Sequence, residues 1–341
     1  QGKGVLITPN HSSHADCFSV YAAAEALGFP FYVMVAWQVF ARGNRLRRLV
    51  LQHHGCFSID REGTDRGAVR QARDVLMSGP YPLVIFPEGE VYHINDRVMP
   101  FREGPAAIAL MAAKKADRPI VCAPCAIKYT YLSDPTPELT ELMGRLEQAL
   151  LWRPRPDLDL PQRIYHLAEG ALALKEIEFF GETYSGPLPE RIRNLIEFVL
   201  GRVEARHGLE PGSATIPERV KAIRQAAVEG LSNLEADDPA RRQFEEDLDD
   251  AFFAVQAFSY PGDYVAEEPT IERIAETLDK FEEDILGRDL PSVRGRREVQ
   301  IRFGEPLEVA TGGRGRGATE SLTREMHRRV QLLVDQLNEQ R

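Results

Sequence analysis

Strand-like and helix-like segments alternate along the first 130 residues of the chain. Short apolar runs bounded by glycine, proline or polar residues predict strands at 4–8, 31–36, 55–61, 81–89 and 119–127. Apolar residues at helical spacing predict helices at 15–27, 38–52, 65–77 and 103–116. Because this alternation is typical of parallel strands joined by helices, we predict an α/β fold with a mostly parallel sheet flanked by helices.

The pattern changes after residue 130, where acidic helix-like segments joined by loops replace the alternation. One further strand is predicted at 298–304 by the sequence "EVQIRFG", and an amphipathic helix follows near the C-terminus. We therefore predict a large helical insertion before the closing strand. The expected parts are an α/β core of 1–130 plus 297–312, an acidic helical insertion of 131–296, and a C-terminal amphipathic helix, 313–341, that packs on the core.

The composition is that of a folded globular protein. Hydrophobic residues make up 43% and charged residues 28% of 341 positions, which excludes a disordered or collagen-like chain. The longest apolar run, 29–37, is far shorter than the roughly 18 residues of a membrane-spanning helix. Four cysteines are too few for a disulfide scaffold, which favours a reducing, cytoplasmic location. A start at Gln1 rather than Met is typical of a fragment, so an upstream N-terminal membrane anchor stays an open alternative.

Charge is distributed unevenly along the chain. Residues 1–129 carry 15 Lys and Arg against 11 Asp and Glu, whereas residues 130–341 carry 27 against 41. The first part is mildly basic, which suits an anionic substrate. The acidic remainder argues against a nucleic-acid partner.

His11 and Asp16 stand five residues apart in "NHSSHAD", at the end of the first predicted strand and the start of the first predicted helix. This spacing lets the carboxylate fold back onto the imidazole. If Asp16 accepts a hydrogen bond from one ring nitrogen, the other nitrogen presents the lone pair that a general base needs. The alternative is that Ser12, Ser13 and Asp16 cap the helix and that His11 is a surface loop residue.

Two other groups of residues suggest chemistry but are better explained by structure. His11, His14 and Asp16 superficially resemble a metallohydrolase site, but their spacing differs from such motifs, so we expect no metal site. His14 is expected to cap the helix or to line the cleft. Cys122 and Cys125 form a Cys-x-x-Cys sequence inside an apolar strand rather than at a helix N-terminus, which favours buried structural thiols over a redox pair.

Four segments together resemble the four motif blocks of the glycerolipid acyltransferase family, which includes lysophosphatidate and glycerol-3-phosphate acyltransferases. The blocks are "NHSSHAD", "GCFSIDR", "FPEG" and the apolar strand that contains Pro124. The resemblance lies in the order and content of the blocks and extends over about 1–129 and 297–310. The segment between these two ranges has no counterpart in the family pattern.

The resemblance implies a reaction and a role for each matching residue. His11 would be the general base that takes a proton from an acceptor hydroxyl, with Asp16 holding the imidazole and balancing its charge. The reaction would move a fatty acyl group from an acyl-CoA or acyl-carrier-protein thioester to a hydroxyl of lysophosphatidate or a related glycerolipid, without a cofactor. Substrate-binding roles are implied for the other matching positions, namely Arg61, Glu88, Gly89, Ser13 and Gly55.

The third block departs from the family pattern. Where the family usually has a small or hydroxyl residue, then Arg, then Ser, this chain has Glu90, Val91 and Tyr92. A carboxylate at position 90 would weaken phosphate binding, so the acceptor head group is open. Arg61 has an alternative too, as a surface residue paired with Glu62 or Asp65.

Other functions remain open alternatives. In the first alternative, the chain is an acyltransferase whose acceptor is glycerol 3-phosphate or another lysophospholipid. In the others the chain is a non-catalytic lipid-binding module or a metal-dependent esterase.

The basic segment 38–52 has two interpretations. It packs on the core, or it rests on anionic lipid through an arginine cluster. Because a fatty acyl chain must reach the site, we expect peripheral membrane contact. The arginines of this segment are Arg42, Arg45, Arg47 and Arg48.

Overall fold

A computed structural model describes residues 2–41, 45–61, 65–212, 214–235, 237–312 and 315–340. The chain divides into two compact units. The first unit is Gln1–Ser133 with Gly295–Arg341, and the second is Asp134–Arg294. Among the described residues, the strands lie in the first unit and the second unit is helical.

The sheet of the first unit is mixed and mostly parallel. Its described strands are β1 (Gly4–Pro9), β2 (Tyr32–Ala36), β3 (Cys56–Ile59), β4 (Leu83–Val84), β5 (Ile120–Tyr131), β6 (Arg297–Phe303) and β7 (Leu307–Glu308). They lie in the order β3-β2-β4-β1-β5-β6, with β7 also paired to β5. Strands β1 to β5 run parallel, whereas β6 and β7 run antiparallel to β5. The prediction of an α/β fold with a mostly parallel sheet is confirmed.

Both units contain helices, which are numbered here in chain order. The first unit begins with α1 (Asp16–Leu27), α2 (Trp37–Ala41), α3 (Arg45–His53), α4 (Arg66–Ser78) and α5 (Gly104–Ala113). The second unit holds α6 (Thr136–Ala149), α7 (Leu160–Phe180), α8 (Leu188–His207), α9 (Ile216–Ser232), α10 (Arg241–Phe258), α11 (Tyr264–Glu267) and α12 (Ile271–Leu286). Helix α13 (Arg316–Asn338) completes the first unit. None of the helices in the described part of the chain combines the length and the apolarity needed to cross a membrane.

Helices cover both faces of the sheet because successive strand side chains point to opposite faces. Leu6 of β1 packs in a core cluster with apolar residues of α4, α5 and α13. The next residue, Ile7, packs on the other face, in a cluster that includes Val20 and Ala24 of α1. Both faces of β1 are therefore buried, which explains the apolar run of Val5, Leu6 and Ile7.

The C-terminal helix α13 packs on the first unit through one apolar stripe. Four of its residues are less than 5% exposed and recur at helical spacing, namely Met326, Val330, Val334 and Leu337. They join the same core cluster as Leu6.

Several element boundaries differ from the sequence predictions. Strand β4 has two residues rather than nine, because Pro87 has no backbone N–H for the ladder and the chain turns at 86–89. Strand β5 reaches Tyr131 instead of residue 127, because the antiparallel β6 pairs with its second half. The single helix predicted at 38–52 is replaced by α2 and α3, and residues 42–44, including Arg42, lie outside the described residues.

The second unit has apolar and ionic interior contacts. Residues of α8, α9 and α10 form one of its apolar clusters, with Leu200, Ile223 and Ala254 fully buried. The buried carboxylate of Glu147 accepts two hydrogen bonds from Arg163, at 2.9 and 2.7 Å. Such paired charges tolerate burial because each guanidinium N–H finds a carboxylate oxygen.

Candidate active site

Three loops that follow parallel strands form the candidate site. Strand β1 leads to His11, β3 leads to Arg61, and β4 leads to Glu88. Carboxyl ends of parallel strands lie at one edge of a sheet, where α/β proteins place their sites. Direct contacts join these loops, since the backbone N–H of His11 donates to Glu88 at 2.7 Å and Arg61 donates to the carbonyl oxygen of Gly89.

His11 and Asp16 form a hydrogen-bonded pair. The Nδ1 atom of His11 lies 2.8 Å from Oδ2 of Asp16. The Asp16 side chain is fully buried, whereas that of His11 is 16% exposed. Because a carboxylate only accepts hydrogen bonds, this contact places the proton on Nδ1 and leaves the lone pair on Nε2.

The carboxylate of Asp16 has two further donors. Its Oδ2 accepts a hydrogen bond from the backbone N–H of Ser13 at 3.0 Å, and its Oδ1 accepts one from the hydroxyl of Tyr129 at 2.8 Å. The Tyr129 hydroxyl also lies 2.8 Å from Oγ of Ser19. These contacts fix the carboxylate, so that it can fix the imidazole of His11 in turn.

The structure does not show the alternative in which Ser12, Ser13 and Asp16 cap α1. The N-cap of α1 is Ala15, which makes no side-chain capping bond. The carboxylate of Asp16 turns back to His11 instead, and Oγ of Ser13 accepts from the N–H of Ala15 at 3.2 Å. The ring of His14, expected to cap the helix or to line the cleft, lies edge-on to that of His93 at 5.4 Å.

The imidazole of His11 is also held from its face. Its ring stacks on Phe86, with centroids 4.3 Å apart and planes at 29°. Phe86 follows β4, so the start of the 86–89 turn supports the ring while the turn's Glu88 holds the backbone of His11. Ring and backbone are thus fixed by the same turn.

Glu88 is buried and binds backbone rather than solvent. One carboxylate oxygen accepts from His11 N–H at 2.7 Å and the other from Met99 N–H at 3.1 Å. Burial raises the pKa of Glu88 from 4.5 to about 8 and outweighs these two hydrogen bonds, which act in the opposite direction. The contacts of Glu88 are therefore those of a positioning residue for the His11 loop.

Arg61 lies against the turn that contains Gly89. Its Nη1 donates to the carbonyl oxygen of Gly89 and lies 3.0 Å from a carboxylate oxygen of Glu90. Of the two alternative partners considered from the sequence, Glu62 lies outside the described residues. Asp65 instead caps α4, because its carboxylate accepts a hydrogen bond from the backbone N–H of Ala68 at 2.9 Å. Hydrogen bonding to backbone N–H groups lowers the pKa of Asp65.

Gly89 is required by the backbone. It has φ +78°, and a Cβ there would lie 2.5 Å from Nε of Arg102. Both the left-handed conformation and the approach of Arg102 exclude a larger residue without rearrangement. This explains the glycine in "FPEG" in structural terms.

Gly55 does not join the His11 loop. It precedes β3 and so lies at the opposite end of that strand from Arg61. Its φ is +79°, and a Cβ would lie 2.8 Å from the carbonyl oxygen of Phe31. The glycine is explained by this turn, although it also lines a groove of about 820 Å³ together with Trp37 and Phe57.

Cys122 and Cys125 are free, buried thiols, as predicted. Cys122 packs in the core cluster of α5 and α13, and Cys125 packs in the cluster of α1 on the other face. Three residues apart on a strand, they point to opposite faces and do not meet. Burial raises the pKa of Cys122 to about 12, which keeps it protonated.

Three contributors to this region were not assigned a role from the sequence, namely Tyr129, Arg102 and Glu90 as a partner of Arg61. Tyr129 lies two residues beyond the strand predicted at 119–127, and its contact with Asp16 spans 113 residues. Only the period-two alternation along β5 could have placed Tyr129 on the α1 face, with Cys125 and Ile127.

Comparison with known proteins agrees with this geometry. Residues 1–128 match the model of the acyltransferase family. No curated protein matches the chain. The matched range includes His11, Asp16, Arg61 and the 86–89 turn, and it leaves the second unit outside. The chain therefore carries a domain of the acyltransferase family in residues 1–128, and by that domain it is an acyltransferase.

Proposed function

We propose that this acyltransferase moves a fatty acyl group from a thioester to a hydroxyl of a glycerolipid, with His11 as the general base. The donor is an acyl-CoA or an acyl-carrier protein, and the acceptor is lysophosphatidate or a related glycerolipid. The observation that carries the proposal is the 2.8 Å contact between Nδ1 of His11 and the buried Asp16, within an acyltransferase domain. The setting is phospholipid synthesis.

The transfer proceeds by direct attack. Nε2 of His11 accepts the proton of the acceptor hydroxyl as the oxygen adds to the thioester carbonyl carbon. The tetrahedral intermediate collapses with loss of the thiolate, which takes the proton from the imidazolium. Asp16 balances the charge of that imidazolium while it exists. A base of this kind contributes about 10² to 10⁴ in rate, and most of the remaining acceleration comes from holding two substrates together.

In this proposal the acceptor binds beside Arg61 and the 86–89 turn. A guanidinium fork suits the oxygens of a phosphate, and Arg61 is 25% exposed beside Gly89. Glu88 supports this side indirectly, because it anchors the backbone of His11 and that of Met99. Ser13 acts in the same way through its N–H to Asp16.

Peripheral membrane contact is proposed for α3. Leu46 and Leu49 are 67% and 62% exposed, and no residue of this helix is buried among those described. Arg45, Arg47 and Arg48 lie on the same short helix. Exposed leucines among arginines favour contact with an anionic lipid surface. The other interpretation of this segment, packing on the core, applies to Phe40 of α2 and Leu51 of α3, which pack against the core cluster that contains Val20.

Thiol release from palmitoyl-CoA tests the reaction. The purified chain is assayed alone and with lysophosphatidate, glycerol 3-phosphate or another lysophospholipid, each with and without EDTA. We expect release that depends on an acceptor, with acylated product by mass spectrometry and no effect of EDTA. Acceptor-independent release would indicate a hydrolase, and loss of activity with EDTA would indicate a metal-dependent esterase. Lipid binding without turnover over the full panel of acceptors and both thioester donors would contradict the proposal.

A further inference from the structure

Glu90 forms an ionic cluster with two arginines beside the proposed acceptor site. Its carboxylate lies 3.0 Å from Nη1 of Arg61 and 4.0 Å from Nη2 of Arg102. The three side chains are 39%, 25% and 24% exposed, in the order Glu90, Arg61, Arg102. The cluster is therefore open to a ligand rather than sealed in the core.

The 86–89 turn holds both arginines in place. Arg61 donates to the carbonyl oxygen of Gly89, and the backbone N–H of Arg102 donates to the carbonyl oxygen of Pro87 at 2.8 Å. The side chain of Arg102 lies over Gly89, where a Cβ would be 2.5 Å from its Nε. Because Glu88 of the same turn anchors His11, the cluster has a fixed connection to the catalytic loop.

Hydrogen bonding within the cluster is incomplete. The buried Nε atoms of Arg61 and Arg102 have no hydrogen-bond partner among the described residues. Buried donors are nearly always paired in a finished structural network. Because these Nε atoms are themselves buried, a further acceptor would meet the partly exposed ends of the two arginine side chains.

The charges of the cluster select among anions. Two guanidinium groups and one carboxylate carry a net charge of +1, which one negative charge balances. A phosphomonoester at neutral pH carries nearly two negative charges, and it must displace Glu90 from Arg61 or lie against that carboxylate. Like charges brought together in this way oppose binding. A phosphodiester carries a single negative charge and lacks the second one that Glu90 repels.

We propose that Glu90 sets acceptor specificity, so that this acyltransferase prefers a lysophospholipid with a phosphodiester head group over lysophosphatidate. The proposal rests on the function proposed above, and in particular on Arg61 facing the acceptor head group. Glu90 is a specificity residue that acts on the acceptor through charge, and it takes no part in the proton transfer.

Two acceptors with the same acyl chain test the proposal, lysophosphatidate and lysophosphatidylglycerol. The wild type is compared with Glu90→Gln, which removes the charge, and with Glu103→Gln. Glu103 is a nearby carboxylate with no ion pair to Arg61 among the described contacts, so it controls for net charge. We expect the wild type to have the higher kcat/KM for lysophosphatidylglycerol. In Glu90→Gln, kcat/KM for lysophosphatidate should rise about tenfold while that for lysophosphatidylglycerol changes little.

Three results would overturn the proposal. They are a wild-type preference for lysophosphatidate, an unchanged ratio of the two kcat/KM values in Glu90→Gln, and an equal change of that ratio in Glu103→Gln. If no acceptor of the full panel supports turnover with either thioester donor, the proposed function fails and binding decides the role of Glu90. In that case, titration calorimetry measures the dissociation constants of short-chain analogues of the two lysolipids. About tenfold tighter binding of the phosphomonoester by Glu90→Gln supports the role, and an unchanged ratio of dissociation constants rejects it.

Discussion

The Nδ1 atom of His11 lies 2.8 Å from Oδ2 of Asp16, and the other carboxylate oxygen of Asp16 accepts the hydroxyl of Tyr129 at the same distance. His11 and the carboxylate that orients it are thus tied to β5 as well as to α1. Because β1 and β5 are neighbours with Pro9 opposite Cys125, the sheet itself brings Tyr129 to the loop after β1. The orientation of His11 therefore depends on contacts between distant parts of the first unit.

The hydroxyl of Tyr129 should contribute to catalysis through this contact. Tyr129→Phe removes one donor from the buried carboxylate, so the imidazole of His11 is held less firmly. A hydrogen bond to a charged group contributes about 1.5–3 kcal/mol, and we expect kcat to fall by roughly ten- to a hundredfold. Tyr21→Phe is the matched control, because the Tyr21 hydroxyl contacts Cys56 and not Asp16. Equal rates for Tyr129→Phe and the wild type would contradict this role.

The raised pKa of Glu88 should appear in the pH dependence of stability. The folded pKa of about 8 exceeds the ordinary value of 4.5, so the folded state keeps a proton that the unfolded chain releases. The stability that this proton contributes is fully present below pH 4.5 and is lost as the pH rises through about 8.

Urea unfolding at about pH 5 and about pH 9 measures this effect. We expect the wild type to lose more unfolding free energy between these two pH values than Glu88→Gln, which does not titrate. Glu88→Gln should be less stable than the wild type at the lower pH, because one of the two backbone N–H groups loses its acceptor. Equal losses in both proteins would show that Glu88 is ionised in the folded state.

Substitution of Gly89 should damage the proposed acceptor side. Gly89→Ala forces an L-residue into φ +78° and places its Cβ against the side chain of Arg102. We expect the unfolding free energy to fall by about 1–2 kcal/mol and KM for the acceptor to rise, as Arg102 shifts. Gly104→Ala is the control, since a Cβ at Gly104 meets no atom within 4 Å and lies in a helix. If Gly89→Ala behaves like Gly104→Ala, the turn is not constrained as described.

The exposed leucines of α3 should govern binding to anionic vesicles. We expect Leu46→Asp and Leu49→Asp to reduce co-sedimentation with vesicles that contain phosphatidylglycerol, and high salt to reduce it further. Leu332→Asp is the control, because Leu332 is an exposed leucine of α13 in the same unit. Loss of binding in all three variants to the same extent would assign the effect to general surface hydrophobicity.

The local elements could be predicted from the sequence because each depends on its own residues. Strand β1 was predictable from its apolar run. Helix α1 was predictable because Gly28 marks its C-terminal end. The pairing of His11 with Asp16 also follows from spacing, since both lie within one loop and the first helical turn. The match to an acyltransferase domain agrees with the resemblance of the motif blocks.

Long-range contacts could not be predicted, because they depend on strand register and on the packing of loops. The predicted strand at 119–127 ended before Tyr129, so its approach to Asp16 was missed. The contact of Glu90 with Arg102 depends on the turn at 86–89, which was expected to be strand. A propensity for strand in "YPLVIF" was overruled by Pro87 and by the conformation of Gly89.

A second histidine–aspartate pair shows that a short contact alone does not identify a base. Nε2 of His207 lies 2.8 Å from Oδ2 of Asp247 in the second unit. Arg206 also pairs with Asp247, and these residues lie outside the acyltransferase domain of 1–128. This pair is explained as a link between α8 and α10, and it provides a control for substitutions of histidine.

The most direct test of the proposed base compares His11→Ala with His207→Ala in acceptor-dependent thiol release. Both variants are first checked for cooperative thermal unfolding. We expect His11→Ala to remain folded and to lose about 10² to 10⁴ in kcat, and His207→Ala to keep the wild-type rate. Wild-type turnover by folded His11→Ala would contradict the assignment of His11 as the general base.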